Sequence, residues 1–180
     1  LVRAHQLGRA GVAIDYGTAK YTIREAAEAS GFALNTLRSL YGRGHFRIVG
    51  GDDKKGRGLA AELTLPDVMC IAVAKVAIDA GVHPRAAFEA GMKFAYSSGG
   101  AVGPNTGLRL PSQLFGTGFT VLVCHPATGT SKIVNTVDGL SFTDLFHDAG
   151  FLGRHASVVI LLNDVERAVF HAIGIGAEVA

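Results

Sequence analysis

Residues 21–46 read YTIREAAEASGFALNTLRSLYGRGHF. The spacing predicts two short helices and a turn. Thr22 suits the N-cap of the first helix, and Glu25 stands three residues on, where a carboxylate can close a capping box. Ile23, Ala26, Ala27 and Ala29 give a small apolar face. Gly31 ends the helix because glycine accepts positive φ without penalty. A second helix over roughly 34–41 places Leu34, Leu37, Leu40 and Tyr41 at helical spacing, and Gly42 and Gly44 stop it.

Working toward the C-terminus, residues 45–49 (HFRIV) are β-like, residues 50–58 (GGDDKKGRG) form a turn, and residues 59–63 can return as a second strand. This predicts a hairpin with a basic, glycine-rich tip. Thr64, with Asp67 three residues later and Pro66 in the first turn, opens a helix that runs to about Ala80. A further helix starts near Pro84, turns Ala87, Phe88, Met92 and Phe94 inward, and ends by Ser98. In the other direction, residues 1–19 show no periodicity and read as a loose arm.

Two short helices followed by a hairpin with a basic tip have the layout of a winged helix-turn-helix. A helix that enters a DNA major groove about 12 Å wide must be polar on one face. The exposed candidates on the second helix are Asn35, Thr36, Arg38 and Ser39. Asparagine can pair with adenine in bidentate fashion and arginine with guanine. Lys54, Lys55 and Arg57 at the tip suit phosphate contacts, which position a protein more than they specify a sequence. The candidate DNA-binding set is Thr22, Arg24, Asn35, Thr36, Arg38, Ser39, Tyr41, Arg43, Arg47, Lys54, Lys55 and Arg57.

On these residues the chain resembles the N-terminal DNA-binding domain of MerR-type transcription regulators. The marks are Tyr21-Thr22-Ile23, Glu25-Ala26-Ala27, Gly31, Thr36-Leu37-Arg38 and Gly44, continued by the stretch ELTLPDVMCIAVAKVAIDAGVHPRAAFEA. Excisionases share the first half, and the part after the wing favours the MerR type. The resemblance implies that Thr36 and Arg38 contact DNA and that the wing cations contact phosphates. Three departures stand out. Ser39-Leu40-Tyr41 replaces the family's two aromatics and a glutamate, the hairpin tip is long, and Gly99-Gly100 and Pro104 interrupt the place of the long dimerisation helix.

Charge is uneven along the chain. The formal net charge is +2, yet residues 20–98 hold eleven Lys/Arg against eight Asp/Glu, and residues 99–180 hold four against six. The window 36–58 holds six basic residues and two acidic ones, which suggests a polyanionic partner. Residues 99–107 read as a linker. Beyond it, strands are expected over 119–124, 132–137 and 157–162, a short helix over 142–147, and a last helix over 164–173 capped by Asn163.

The expected architecture is therefore α+β, with an arm (1–19), a winged helix-turn-helix (20–98), a linker (99–107) and a small β-rich α/β module (108–180). That module has more apolar surface than a small segment easily buries. It is expected to mediate homodimerisation or hold a protein partner, since one helix-turn-helix covers one half-site.

Cys70 and Cys124 have no paired spacing, so no disulfide framework or zinc motif follows. Buried structural roles are expected for both. Residues 68–80 are too short and too charged to span a bilayer, and residues 1–17 lack the apolar core of a signal peptide. No acid–base pair, nucleophile set, metal cluster or phosphate-cradling loop emerges, so neither an enzyme nor a cofactor is expected. The reading is a sequence-specific regulator of a bacterial or phage cytoplasm, associated with the nucleoid and acting on double-stranded DNA. Its rivals are an excisionase-like architectural DNA binder and a protein-interaction module that has lost DNA binding.

Overall fold

A computed structural model describes residues 14–18, 21–49, 61–99, 108–126, 130–136 and 157–175. The fold is mixed α+β. Its described elements, in chain order, are β1 (Tyr21–Thr22), α1 (Ile23–Ser30), α2 (Leu34–Gly42), β2 (Glu62–Leu63), α3 (Leu65–Asp79), α4 (Pro84–Tyr96), β3 (Phe119–Cys124), β4 (Ser131–Thr136), β5 (Val158–Leu161) and α5 (Leu162–Ala172).

Local chemistry sets the first two helices. The Thr22 hydroxyl accepts from Glu25 N–H at 3.2 Å, and Thr22 N–H donates back to Glu25 Oε2 at 2.7 Å. This reciprocal pair closes the capping box. Gly31 takes φ +76°, the left-handed conformation that ends α1 and sends the chain into α2. Leu37 is fully buried on α2, while Leu34, Leu40 and Tyr41 pack partly against the same core.

α3 lies at the centre. Thr64 and Asp67 close its capping box, with Pro66 in the first turn, where a missing N–H costs nothing. Ten of its residues are buried, from Leu65 to Ala77, so its apolar surface runs all round, as expected of an enclosed helix. It packs against α1, α4 and α5. The approach to α4 is close because Gly91 carries no side chain. A Cβ at Gly91 would stand 2.4 Å from the Cys70 carbonyl oxygen.

The larger sheet has strand order β4-β3-β5, antiparallel throughout. Val121 faces Val134 on one side and Leu161 on the other. Leu122, Cys124 and Ile160 join the core shared with the helices, whereas Val121 and Val123 form a separate small cluster with Leu161.

Several expectations need correction. Residues 45–49 form no strand, and β2 pairs with β1 (Tyr21 with Leu63, Thr22 with Glu62) instead of with 45–49. Phe46 and Ile48 are buried at alternate positions because they anchor a connecting segment in the helical core, and this imitates the period of a strand. The expected tip, with Lys54, Lys55 and Arg57, and the helix over 142–147 lie outside the described residues. Residues 14–18 are not loose: Ile14 is buried, Tyr16 packs on the core, and Asp15 accepts from the N–H groups of Gly17 and Thr18. The last helix begins at Leu162, and Asn163 does not cap it. The Asn163 side-chain oxygen accepts from Thr120 N–H at 2.8 Å, so it fastens the helix start to β3.

The apolar residues of the C-terminal part find partners within the chain. Ile160, Leu162, Val165 and Val169 belong to one core with residues of α1, α3 and α4. Phe119 and Val159 remain exposed. Among the described residues, no helix is long and apolar enough to cross a membrane.

Candidate nucleic-acid interface

Burial decides which residues of α2 can meet a partner. Leu37 is fully buried, and Leu34, Leu40 and Tyr41 lie on the same side. At about 100° per residue this leaves an exposed arc of roughly 160°. The arc holds Asn35, Thr36, Arg38 and Ser39, all exposed. Two amide- or guanidinium-bearing side chains and two hydroxyls thus share one face, with no acidic residue among them.

The flanks are basic. Arg24 on α1 is exposed, as are Arg43 and Arg47 beyond the end of α2. Residues 29–51 contain Arg38, Arg43, Arg47 and His45 and no Asp or Glu. Among the described residues, no carboxylate forms an ion pair with these arginines; the described ion pairs join Lys75 to Asp79, Arg85 to Glu89 and Arg167 to Asp164. Exposed guanidinium groups without a carboxylate partner attract polyanions and offer forked donors to phosphate or guanine.

Two of the twelve candidates do structural work. The Thr22 hydroxyl is held in the capping box, where it also donates to Glu25 at 2.9 Å. Glu25 titrates below the usual carboxylate range because the Thr22 backbone N–H and hydroxyl hold its charged form. Tyr41 packs its ring against Phe46, with centroids 5.3 Å apart. Phe46 stacks in turn on Phe88 of α4 at 4.6 Å. Tyr41 therefore braces the chain that leaves α2. Lys54, Lys55 and Arg57 lie outside the described residues, so their placement beside α2 stays an expectation.

Sequence reading missed the groups that hold this surface in place. Asp67 is 3% exposed, and its carboxylate accepts from Val49 N–H at 3.0 Å and from Thr64 N–H at 2.9 Å. Tyr96, the last residue of α4, donates its hydroxyl to the same carboxylate. Burial pushes the Tyr96 phenol far above its ordinary range, with the nearby Asp67 adding to the effect. The capping-box spacing marked Asp67 as a helix start. Nothing local marked its contacts with residues 18 and 29 positions away. His83, at the head of α4, meets His45 edge-on with ring centroids 6.4 Å apart.

Against protein-family models and against curated proteins, the chain finds no match.

Proposed function

We propose that this protein is a sequence-specific, double-stranded-DNA-binding transcription regulator of MerR-like, winged helix-turn-helix build. The observation that carries the reading is the exposed arc of α2. It gathers Asn35, Thr36, Arg38 and Ser39 on one face, in a stretch of chain free of acidic residues. An amide and a guanidinium at the solvent face of a short, well-anchored helix match the donor and acceptor patterns of adenine and guanine in the major groove. Arg24, Arg43 and Arg47 flank that face and fit phosphates, which orient the helix without reading sequence.

The wing in this reading is the chain between Val49 and Ala61, with Lys54, Lys55 and Arg57 as its phosphate-facing cations. The described residues on either side of it are held by the Asp67 carboxylate, which accepts from Val49 N–H, and by β2, which pairs with β1. Binding as a dimer supplies two half-sites. Phe119 and Val159, exposed apolar side chains on neighbouring strands, support a second copy or another protein as the partner of the C-terminal part. The protein acts in the cytoplasm, at the nucleoid, in this reading.

The test is duplex binding across a range of salt. The Arg38→Ala change should weaken specific binding by about 1–3 kcal/mol and relax base preference. The triple change Lys54→Ala, Lys55→Ala, Arg57→Ala should weaken binding to all sequences and flatten the salt slope by about one unit per lost cation. Affinity unchanged in both variants would refute the groove-and-wing arrangement and favour a protein-interaction module.

A further inference from the structure

We infer that Asp67 and Tyr96 are positioning residues for Arg47. They fix the segment 45–49 against α3 and α4, and so hold this exposed cation five residues beyond the end of α2. The inference rests on the DNA-binding reading above and adds to it the groups that control the geometry of the interface.

The segment 45–49 has no strand partner among the described residues. Its backbone must be held by other means, because free N–H and C=O groups alone do not fix a connecting chain. Phe46 and Ile48 are buried, which plants alternate side chains in the core and leaves Arg47 between them exposed. Phe46 lies between Tyr41 of α2 and Phe88 of α4. At the far end of the segment, Val49 N–H donates to Asp67 Oδ1 at 3.0 Å.

Asp67 has little freedom of its own. Its other oxygen, Oδ2, accepts from Thr64 N–H and from the Thr64 hydroxyl, each at 2.9 Å, in the capping box of α3. One carboxylate therefore holds the chain where it leaves at Val49 and where it returns at Thr64. Tyr96 donates to Oδ1, the oxygen that Val49 uses. A buried carboxylate is stable only when its lone pairs are met, so each donor stabilises the orientation that the others require.

Tyr96 ties this arrangement to the end of α4, which is itself clasped. Arg109 is 1% exposed and donates to the carbonyls of Phe94, Ser97, Leu110 and Gln113. The path from the C-terminal part to Arg47 thus runs through named contacts. Arg109 holds the last turn of α4, Tyr96 on that turn holds Asp67, and Asp67 holds Val49. A chain end fixed by one side-chain acceptor moves when that acceptor turns, and Arg47 stands two residues away.

Two measurements test this with the full chain, using Tyr96→Phe, which removes one hydroxyl and keeps the ring. Amide exchange without DNA should speed up about tenfold at Val49 and stay unchanged in α1. In duplex binding, Tyr96→Phe should weaken affinity about threefold or more in the wild-type background and by nothing further in Arg47→Ala, as residues acting through one contact require. Asp67→Asn, which weakens the acceptor and keeps its shape, should repeat both effects. Unchanged Val49 exchange overturns the inference, and so does an equal affinity loss in both backgrounds. Failure of the underlying reading looks different. The wild-type chain would then bind no duplex, while Val49 exchange would still report whether Tyr96 fixes the segment.

Discussion

The guanidinium of Arg109 lies over the ring of Phe94 at 5.2 Å and donates to the carbonyl of that same residue at 3.0 Å. A buried cation here closes the C-terminal end of α4, where carbonyl oxygens lack helical partners and the helix dipole is negative. Burial lowers the Arg109 pKa to about 10, which still leaves it charged at neutral pH. The planar fork reaches several carbonyls at once, which an ammonium group cannot do. Arg109→Ala should therefore cost about 3 kcal/mol or more, since it removes four hydrogen bonds and the packing of a buried side chain on Phe94. Arg109→Lys should recover little of that loss. Denaturant unfolding of the two variants checks this, and full recovery by lysine would contradict the clasp.

Gly91 marks the contact on which the two longest helices depend. An added methyl group would meet the Cys70 carbonyl oxygen at 2.4 Å and the Cys70 Sγ at 3.2 Å. The first neighbour is backbone and cannot swing aside. Gly91→Ala should destabilise the protein by about 1–3 kcal/mol despite the higher helix propensity of alanine. An unchanged or raised melting temperature would show that α3 and α4 can separate without loss.

Burial, with Glu166 nearby, raises the Tyr16 phenol to about 12. A raised folded-state value favours the neutral form in the folded protein. The stability it brings is complete below the ordinary value of 10.0 and is lost as pH climbs through about 12. Tyr16→Phe should flatten this part of the alkaline limb. Denaturant midpoints at about pH 9 and about pH 11 should differ less in the variant than in the wild type.

Much of the fold was legible wherever the decisive contacts are local. Thr22, Glu25 and Gly31 specify α1 within ten residues, and β3 falls over 119–124 as the apolar run predicts. Misreadings arose where distant contacts decide. The alternation of Phe46 and Ile48 serves Phe88 and the helical core, not a neighbouring strand. Asn163 looked like a cap until Thr120, 43 positions away, claimed its oxygen. The apolar residues Leu162, Val165 and Val169 of α5 pack into a core shared with α1 and α3, which come much earlier in the chain. Within the candidate site, the exposed residues of α2 were readable from periodicity. The anchors Asp67, Tyr96 and Arg109 were not, since burial of a charge at one position depends on everything packed around it.

The depressed pKa of Glu25 makes a separate prediction at acid pH. Its folded value lies below 4.5, so its contribution is present above 4.5 and is lost as pH falls through the lower folded value. Glu25→Gln should remove that part of the acid limb. Thr22→Ala should remove it as well and cost about 1 kcal/mol at neutral pH through the lost cap. Chemical denaturation of both variants across the acid range provides the check, and an acid limb identical to wild type would contradict the role of the capping box.

The most direct test is selection of bound duplexes from a random-sequence pool by the wild-type chain and by Arg38→Ala. The account predicts that the wild-type protein enriches one short motif, arranged as an inverted repeat if two copies bind, and that Arg38→Ala loses the preference at the base its guanidinium reads. No enrichment by the wild-type protein, or the same motif recovered by both, would contradict it.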